Sequence, residues 1–454
     1  MSEPVAVAAG DGVTDDSTDA GRLRAFVLLG GFGVICRNPE YLEDLRDRGL
    51  RILLVTPAKW RDETLARTAD PTHPASAVDD VAFVAGSMES EGTFTAEVIA
   101  HARRWRERYD IVGVYAVGEI LVEQAGLVAD ALGLRSPGLR AGRVCRSKYL
   151  QRWYLDEWSP ASTVVPASER DTFDPAGVRF PAIVKPAARH SSSGVTAVTA
   201  PDELRAALAR FAPGENALVE EKVAGQEFSV EALVQDGKPV FASVTTKETT
   251  ESVSSSFVEL SHSVPCPLPS AVTSLLDANS RMLELLGFQD GIAHSEWRLT
   301  SDGRVRLMEV AARTPGDGLL VLYHLATGEP LEKHILKVAL GEPTTYPRPR
   351  RYTRQVYLDH EPGVLSDVVL HWPGVEPVWV GENGMWPPIA PGRADDPPTL
   401  RGVLVLRERG SVLGPLRDSD DRAVTFFIDA AAPEELDALE QQVRTSLHVR
   451  VTPG

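Results

Sequence analysis

The alternation of apolar and polar positions begins with a short apolar run, RAFVLL at residues 24–29, which predicts a buried strand ending in Gly30, Gly31 and Gly33. Helical spacing follows over 39–48, then a second apolar strand, RILLVTP, over 51–57. DIVGVYAV over 110–117 predicts another strand, and 119–132 returns to helical spacing. Strands alternating with helices predict a parallel sheet covered by helices. The GGFG loop after the first strand admits a tight strand-to-helix turn or a dinucleotide-binding loop. It lacks the G-x-G-x-x-G spacing, and no acidic residue closes the 51–57 strand, which favours the turn.

From about residue 141 the pattern changes. An aromatic-rich helix is predicted over 147–158, strands over 181–185 and 194–199, and a helix over 201–211. Two more strands follow over 217–222 and 228–235, then a long helix over 271–286 and a hairpin over 291–311. Beyond about residue 347 the chain is rich in Pro and short strands, which reads as a separate β-containing cap. It ends in an amphipathic helix over 433–447, and Trp372, Trp379 and Trp386 either pack this part or wall a substrate pocket, with packing favoured. The predicted organisation is a disordered acidic tail (1–21) and an α/β domain (22–141). A third unit (142–346) contains a smaller subdomain at about 160–225, and a C-terminal subdomain (347–454) completes the chain.

Composition narrows the choice of function. The 454 residues hold 47 Lys and Arg against 64 Asp and Glu, a net charge of −17 that repels phosphate backbones and argues against a general nucleic-acid binder. It does not argue against a nucleotide held in a small pocket with its own lysines. Cys36, Cys145 and Cys266 are far apart and in no C-x-x-C pair, so neither a disulfide framework nor a thiolate metal site is expected. No apolar run approaches the ~20 residues that span a bilayer, and the first residues lack the basic start and apolar core of a signal peptide. A soluble cytoplasmic protein is the expectation.

Three stretches carry chemistry. In GIAHSEWRLTSDGRVRLMEVAARTPGDG (291–318), Asp302-Gly303 between alternating runs predicts a two-residue hairpin turn. Partners then sum to 605, so Ser301 faces Arg304, Arg298 faces Leu307 and Glu296 faces Glu309. Two carboxylates directly opposite repel each other. A divalent cation removes that repulsion, and magnesium is often held by one or two carboxylates plus substrate phosphates. A shifted register, or one glutamate simply solvated, accounts for the pair equally well. Arg313, four residues beyond Glu309, falls on the same strand face, where a guanidinium suits a phosphate or carboxylate.

In FPAIVKPAARHSSSGV (180–195), Lys185 ends a buried strand, and the hydroxyl-rich loop after it has the freedom to close over phosphates. A solvated lysine before a surface turn is the competing reading, and the P-loop pattern is absent. In ALVEEKVAGQEFSVEALV (217–234), charges at Glu220, Glu221 and Lys222 interrupt an apolar strand, Gly225 marks a turn and Glu227 opens the next strand. Such charges fit a ribose and an adenine edge, or serve solubility alone.

In this order and spacing the three stretches resemble the ATP-grasp ligases over roughly residues 142–341, and the first α/β segment is similar to that superfamily's usual first domain. Within it, E-V-x-x-R at Glu309–Arg313 with a glutamate thirteen residues earlier is most similar to the L-amino acid ligases, the bacterial dipeptide synthases. His262, in SHSVP, resembles their H-x-x-P substrate loop. The implied fold is α/β, with an α+β ATP-binding part: an ATP-grasp fold with an N-terminal Rossmann-like domain and a C-terminal β-containing cap.

The resemblance also implies roles. Lys148 and Lys185 would contact ATP phosphates, and Ser191, Ser192, Ser193 and Gly194 would form the phosphate lid. Glu220, Glu221 and Val223 would line the adenine, with Glu227 on the ribose. Glu296 and Glu309 would hold one or two Mg2+ ions, with Mn2+ an acceptable substitute. Arg313 would grip the acyl-phosphate and the carboxylate, and His262 would place an amino acid. The implied partners are ATP and two small molecules, a carboxylic acid and an amine, with no nucleic acid and no membrane; related ligases are often homodimers. The implied reaction forms an amide through an acyl-phosphate, as in natural-product biosynthesis.

The chain departs from the pattern twice. Ala311 stands where many of these enzymes have a metal-binding Asn, and Asp317 stands where related ligases often have Gly. The alternatives are an ATP-grasp carboxylase or formate-using nucleotide ligase and, from another class, a non-catalytic nucleotide-binding module.

Overall fold

The computed structural model describes residues 21–88, 91–189, 193–252 and 257–453. All but the last residue of the expected tail lies outside them. Four strands, β1 (Leu23–Leu29), β2 (Arg51–Pro57), β3 (Val78–Val84) and β4 (Tyr109–Ala116), form an all-parallel sheet in the order β3-β2-β1-β4. The helices Glu40–Asp47, Arg61–Thr68 and Thr95–Arg108 make the crossovers. β1 and β2 are near-continuous apolar runs because both sheet faces are covered there, whereas the edge strand β3 carries Asp79 and Asp80. Gly30 and Gly31 form the expected tight turn into the short helix Phe32–Cys36.

A second, small sheet is formed by β5 (Ser162–Val165), β6 (Ala182–Pro186), β7 (Thr196–Val198) and β8 (Ala217–Glu221), in the order β5-β8-β6-β7. Alternation sorts its faces. Ala182, Val184, Ala217 and Val219 pack on the helix Pro201–Leu208, while Ile183, Lys185 and Glu220 look the other way, into a cavity.

The main sheet has nine strands among the described residues. It takes in β9 (Gln226–Gln235), β10 (Lys238–Thr249), β11 (Glu259–Val264), β12 (Gly291–Leu299), β13 (Val305–Ala311) and β14 (Tyr352–Tyr357). The C-terminal strands are β15 (Gly363–Leu370), β16 (Pro377–Trp379), β17 (Thr399–Val405), β18 (Val412–Leu413), β19 (Val424–Ala430) and β20 (Leu447–Thr452). The order of the main sheet is β13-β12-β9-β10-β11-β14-β19-β17-β16. The C-terminal part is thus β-containing, as expected, but it is not a separate layer: β14, β19, β17 and β16 continue the same sheet across β11. Only β18, β15 and β20 form a sheet of their own.

At the seam between these parts, the fully buried Arg351 pairs with the fully buried Asp429 at 3.1 Å. Arg351 also donates to the carbonyls of Arg393, Ala394 and Asp396, tying down the loop after the third tryptophan. Trp386 packs edge-on against Phe427, and Arg409 stacks 3.7 Å over Trp379. None of the three tryptophans lines the large cavity described below.

Two faces of the main sheet have opposite character. Phe228, Val230, Ala232 and Val234 of β9 and Ala293 and Trp297 of β12 pack on the helix Pro269–Leu286. The alternate residues form a polar face: Glu227, Ser229 and Glu231 on β9, His294, Glu296 and Arg298 on β12, and Glu309 on β13. In register, Glu227 lies beside Arg298, Ser229 beside Glu296 and Glu231 beside His294. So many buried polar side chains on one sheet face are costly unless mutually paired or aimed at a ligand.

Candidate active site

The polar face of the main sheet and the Lys185 face of the small sheet border a cleft with about 1090 Å3 between its walls, solvent at its open mouth included. Its walls include Lys148, Lys185, Ser193, Glu220, Glu221, Val223, Glu227, Glu296, Glu309 and Arg313, which joins every candidate residue among the described ones except Gly194 and His262. Ser191 and Ser192 lie outside the described residues. Gly194 adjoins the cleft with φ +77, a conformation that favours glycine.

The hairpin brings Glu296 opposite Glu309, as the spacing predicts, but by a different route. The turn is wider than the expected two residues: Thr300 pairs with Arg304 through N–H to carbonyl contact at 2.9 Å, and Gly303 takes φ +79. Arg298 therefore faces Arg306 rather than Leu307, and Ser301 and Arg304 are not cross-strand partners. A bulge between Glu296 and Trp297 on the strand pair, which leaves Met308 unpaired, then shifts the register by one and restores the two glutamates to one another.

Each glutamate already has a cation. Lys148 Nζ lies 2.9 Å from Glu309 and donates to the Arg189 carbonyl at 2.7 Å. Lys247 Nζ lies 2.6 Å from Glu296 and 3.7 Å from both Glu227 and Glu259. Burial works against a charge on Glu296, yet Lys247 and His294 overcome it and hold the carboxylate well below its usual range. At Glu227 the balance reverses: burial raises its pKa and Lys247 and Arg298 only partly offset it.

These donors fit magnesium. Glu296 and Glu309 offer hard oxygens from facing strands, while Ala311, which also lines the cleft, offers none. Among the described residues no three His, Cys, Asp or Glu side chains gather in metal-binding geometry. Two carboxylates with phosphate oxygens completing the shell is a common magnesium arrangement.

Lys185 and Glu220 form a buried pair at 2.6 Å, and Arg152 also binds Glu220. Because Glu220 answers two cations, Lys185 has a shared counter-charge, and burial pushes its pKa down to about 8 despite Glu220. Its charge is therefore present below pH 8 and lost above it. For a lysine that meets ATP phosphates, as the sequence resemblance implies, kcat/KM for ATP is expected to fall about tenfold per pH unit above that point. Lys185→Arg, which stays charged, should flatten this limb; a pH profile of both proteins with an unchanged limb in the variant would remove Lys185 from the phosphate contacts.

Arg313 is held from the first domain. Its Nε donates to Glu119 at 2.7 Å, and Arg146 donates to the other oxygen of Glu119 at 2.6 Å. Two guanidiniums overcome the burial of Glu119 and hold its pKa far below the carboxylate range. Glu119 was not foreseen as a site residue, since one glutamate after an apolar strand carries no signal. Lys247, Arg298, His294 and Glu259 were also missed. For His294 and Arg298 the signal was alternation, since both occupy the polar phase of a strand whose other phase is mostly apolar.

His262 stands apart from the cleft lining. It sits on β11 beside Lys247, and its Nε2 lies 2.7 Å from Asp317. Asp317, at φ +54, is also clamped by Arg422 at 2.5 Å.

Residues 178–320 match the family model described as the ATP-grasp domain. The protein has the ATP-grasp fold. Solved structures agree over nearly the whole chain. L-amino acid ligase from Bacillus licheniformis superposes with a TM-score of 0.70 at 19% identity, covering 95% of this chain and 99% of that one. Phosphoribosylglycinamide synthetase from Anaerococcus prevotii gives 0.63 at 14% identity, with 94% and 100% covered. Biotin carboxylase from Campylobacter jejuni gives 0.58 at 13% identity, with 94% and 92% covered. No curated protein sequence matches significantly. In this ATP-grasp protein no helix among the described residues is long and apolar enough to cross a membrane, and the three cysteines are free and buried.

Proposed function

We propose that the protein is an ATP-dependent carboxylate–amine ligase that joins amino acids or amino-acid-like acids through an acyl-phosphate, releasing ADP and phosphate. The observation that carries this reading is the alignment, in one cleft, of the facing pair Glu296–Glu309 with Lys148, Lys185 and Arg313. Lys148 and Lys185 bind the phosphates. Glu220, Glu221 and Val223 frame the base, and Glu227 takes the ribose. Glu296 and Glu309 would hold Mg2+, which when bound would supply charge neutralisation at the phosphates. Ser193 and Gly194, with Ser191 and Ser192, belong to the lid over them.

A carboxylate acylates poorly because its leaving group would be oxide; transfer of the γ-phosphoryl group gives it phosphate to expel. Arg313, fixed by Glu119, steadies the carboxylate and the acyl-phosphate, and an amine then attacks the acyl carbon. Most of the rate enhancement comes from positioning and fixed charge. Exclusion of water from the cleft protects the acyl-phosphate. His262 reaches this chemistry through Asp317 and its substrate loop, as a positioning residue. Homodimerisation, a cytoplasmic location and a natural-product pathway belong to the same proposal.

The test is ADP and phosphate release with Mg-ATP across pairwise mixtures of amino acids and small carboxylic acids, with products weighed by mass spectrometry. A product equal to the two substrates less water supports the ligase. Release that needs bicarbonate, and no amine-plus-acid pair, would support the carboxylase reading, which the likeness to biotin carboxylase keeps in view.

A further inference from the structure

Away from the ATP cleft, a second cavity opens where three parts of the chain meet. It is walled by Glu40 at the start of the helix Glu40–Asp47, by Glu332 at the start of the helix Leu331–Ala339, by His324 of the helix Leu319–Thr327, and by Trp386 and Pro387 from the C-terminal part. Glu332 is 4% exposed, and its Oε2 is buried with no hydrogen-bond partner. Among the described residues no ion pair reaches Glu332 or Glu40. Arg37 stands on the cavity wall and Lys333 is exposed, and neither forms a salt bridge with these carboxylates. Burial, reinforced by Glu40, pushes the Glu332 pKa up to about 8.

Two acidic groups share one cavity, one of them buried with an orphaned oxygen, and the exposed Lys333 acts on them only through space, without an ion pair. The cavity is small, with about 400 Å3 between its walls, solvent at its open side included. A divalent ion would call for more donors than two carboxylates on one side, and no cluster of three His, Cys, Asp or Glu in metal-binding geometry occurs among the described residues.

We propose that the cavity bounded by Glu40, Glu332, His324 and Trp386 binds a small monovalent cation, potassium or ammonium, with Glu332 as its principal ligand. The site bears on the catalytic cleft through one short path. Tyr41, next to Glu40, shares a hydrogen bond of 2.7 Å with Thr314, the residue after Arg313, and Tyr115 reaches the same hydroxyl at 2.6 Å. A cation there would lock the first domain, the ATP-binding part and the C-terminal part together.

The experiment is thermal melting of the full-length protein at constant ionic strength, replacing tetramethylammonium chloride, whose cation is too large, by KCl, NH4Cl or NaCl. A saturable rise of roughly 2 °C or more with K+ or NH4+ is expected. The preferred ion is identified by which salt acts at the lower concentration. The rise should vanish in Glu332→Gln and weaken in Glu40→Gln, which provides the comparison if the first variant fails to fold. Equal melting in all salts, or an undiminished rise in the folded variants, overturns the proposal. Melting does not depend on turnover, so this result stands apart from the ligase assignment.

Discussion

Arg313→Ala and Glu309→Gln should each reduce ADP release by about 10²- to 10³-fold, the usual loss when one fixed charge at a developing anion is removed. The reasoning is geometric. Arg313 is positioned by Glu119 on one side of the cleft, and Glu309 sits opposite Glu296 on the other. Neither substitution should cost much stability. Without Arg313, Glu119 still pairs with Arg146 at 2.6 Å, and Gln at 309 retains the shape and an acceptor for Lys148. The check is turnover with the substrate pair found by the mixture screen, with melting measured in parallel. Wild-type turnover in either folded variant would falsify the site assignment.

Asp429→Asn should have the largest effect on stability, about 3–5 kcal/mol, because it removes one partner of a fully buried ion pair. Arg351 and Asp429 have no exposed side-chain surface, and Arg401 lies 2.9 Å from the same carboxylate. The substitution leaves two guanidiniums facing a neutral amide in a buried region. Urea unfolding should show a lower midpoint. Since the pair lies outside the ATP cleft, the folded fraction should still bind ATP. A midpoint equal to wild type would mean that the carbonyls of residues 393, 394 and 396 alone satisfy Arg351.

The site was legible in the sequence to the extent that strand alternation exposes it. Glu296 and Glu309 were paired correctly from one Asp-Gly turn, but two departures cancelled: a wider turn moved the register one way and a bulge moved it back. Bulges leave little trace in a sequence, so the pairing near the turn, Arg298 with Leu307, failed where the pairing at the glutamates held. Lys247 was invisible for another reason. Its meaning comes from Glu227, Glu259 and Glu296, which lie on three other strands and converge only in three dimensions. Glu119 likewise gains its role from Arg146 and Arg313, far along the chain. Three strands of the parallel first sheet were legible as apolar runs, whereas the edge strand β3, which carries Asp79 and Asp80, gave no such signal.

The C-terminal part is β-containing, and its joining of the main sheet was not legible, because strand content is local and sheet membership is not. That continuity has a consequence for anyone recombining this protein with its relatives. A cut near residue 347 looks like a linker in the sequence, but it falls between β11 and β14, which are hydrogen-bonded neighbours. Removing the C-terminal part would bare the edge of β11 along a row of unsatisfied backbone groups, a template for self-association. A chimera made there must therefore match a strand edge as well as a loop, and a shortened protein should be recovered as aggregates rather than as a smaller soluble enzyme.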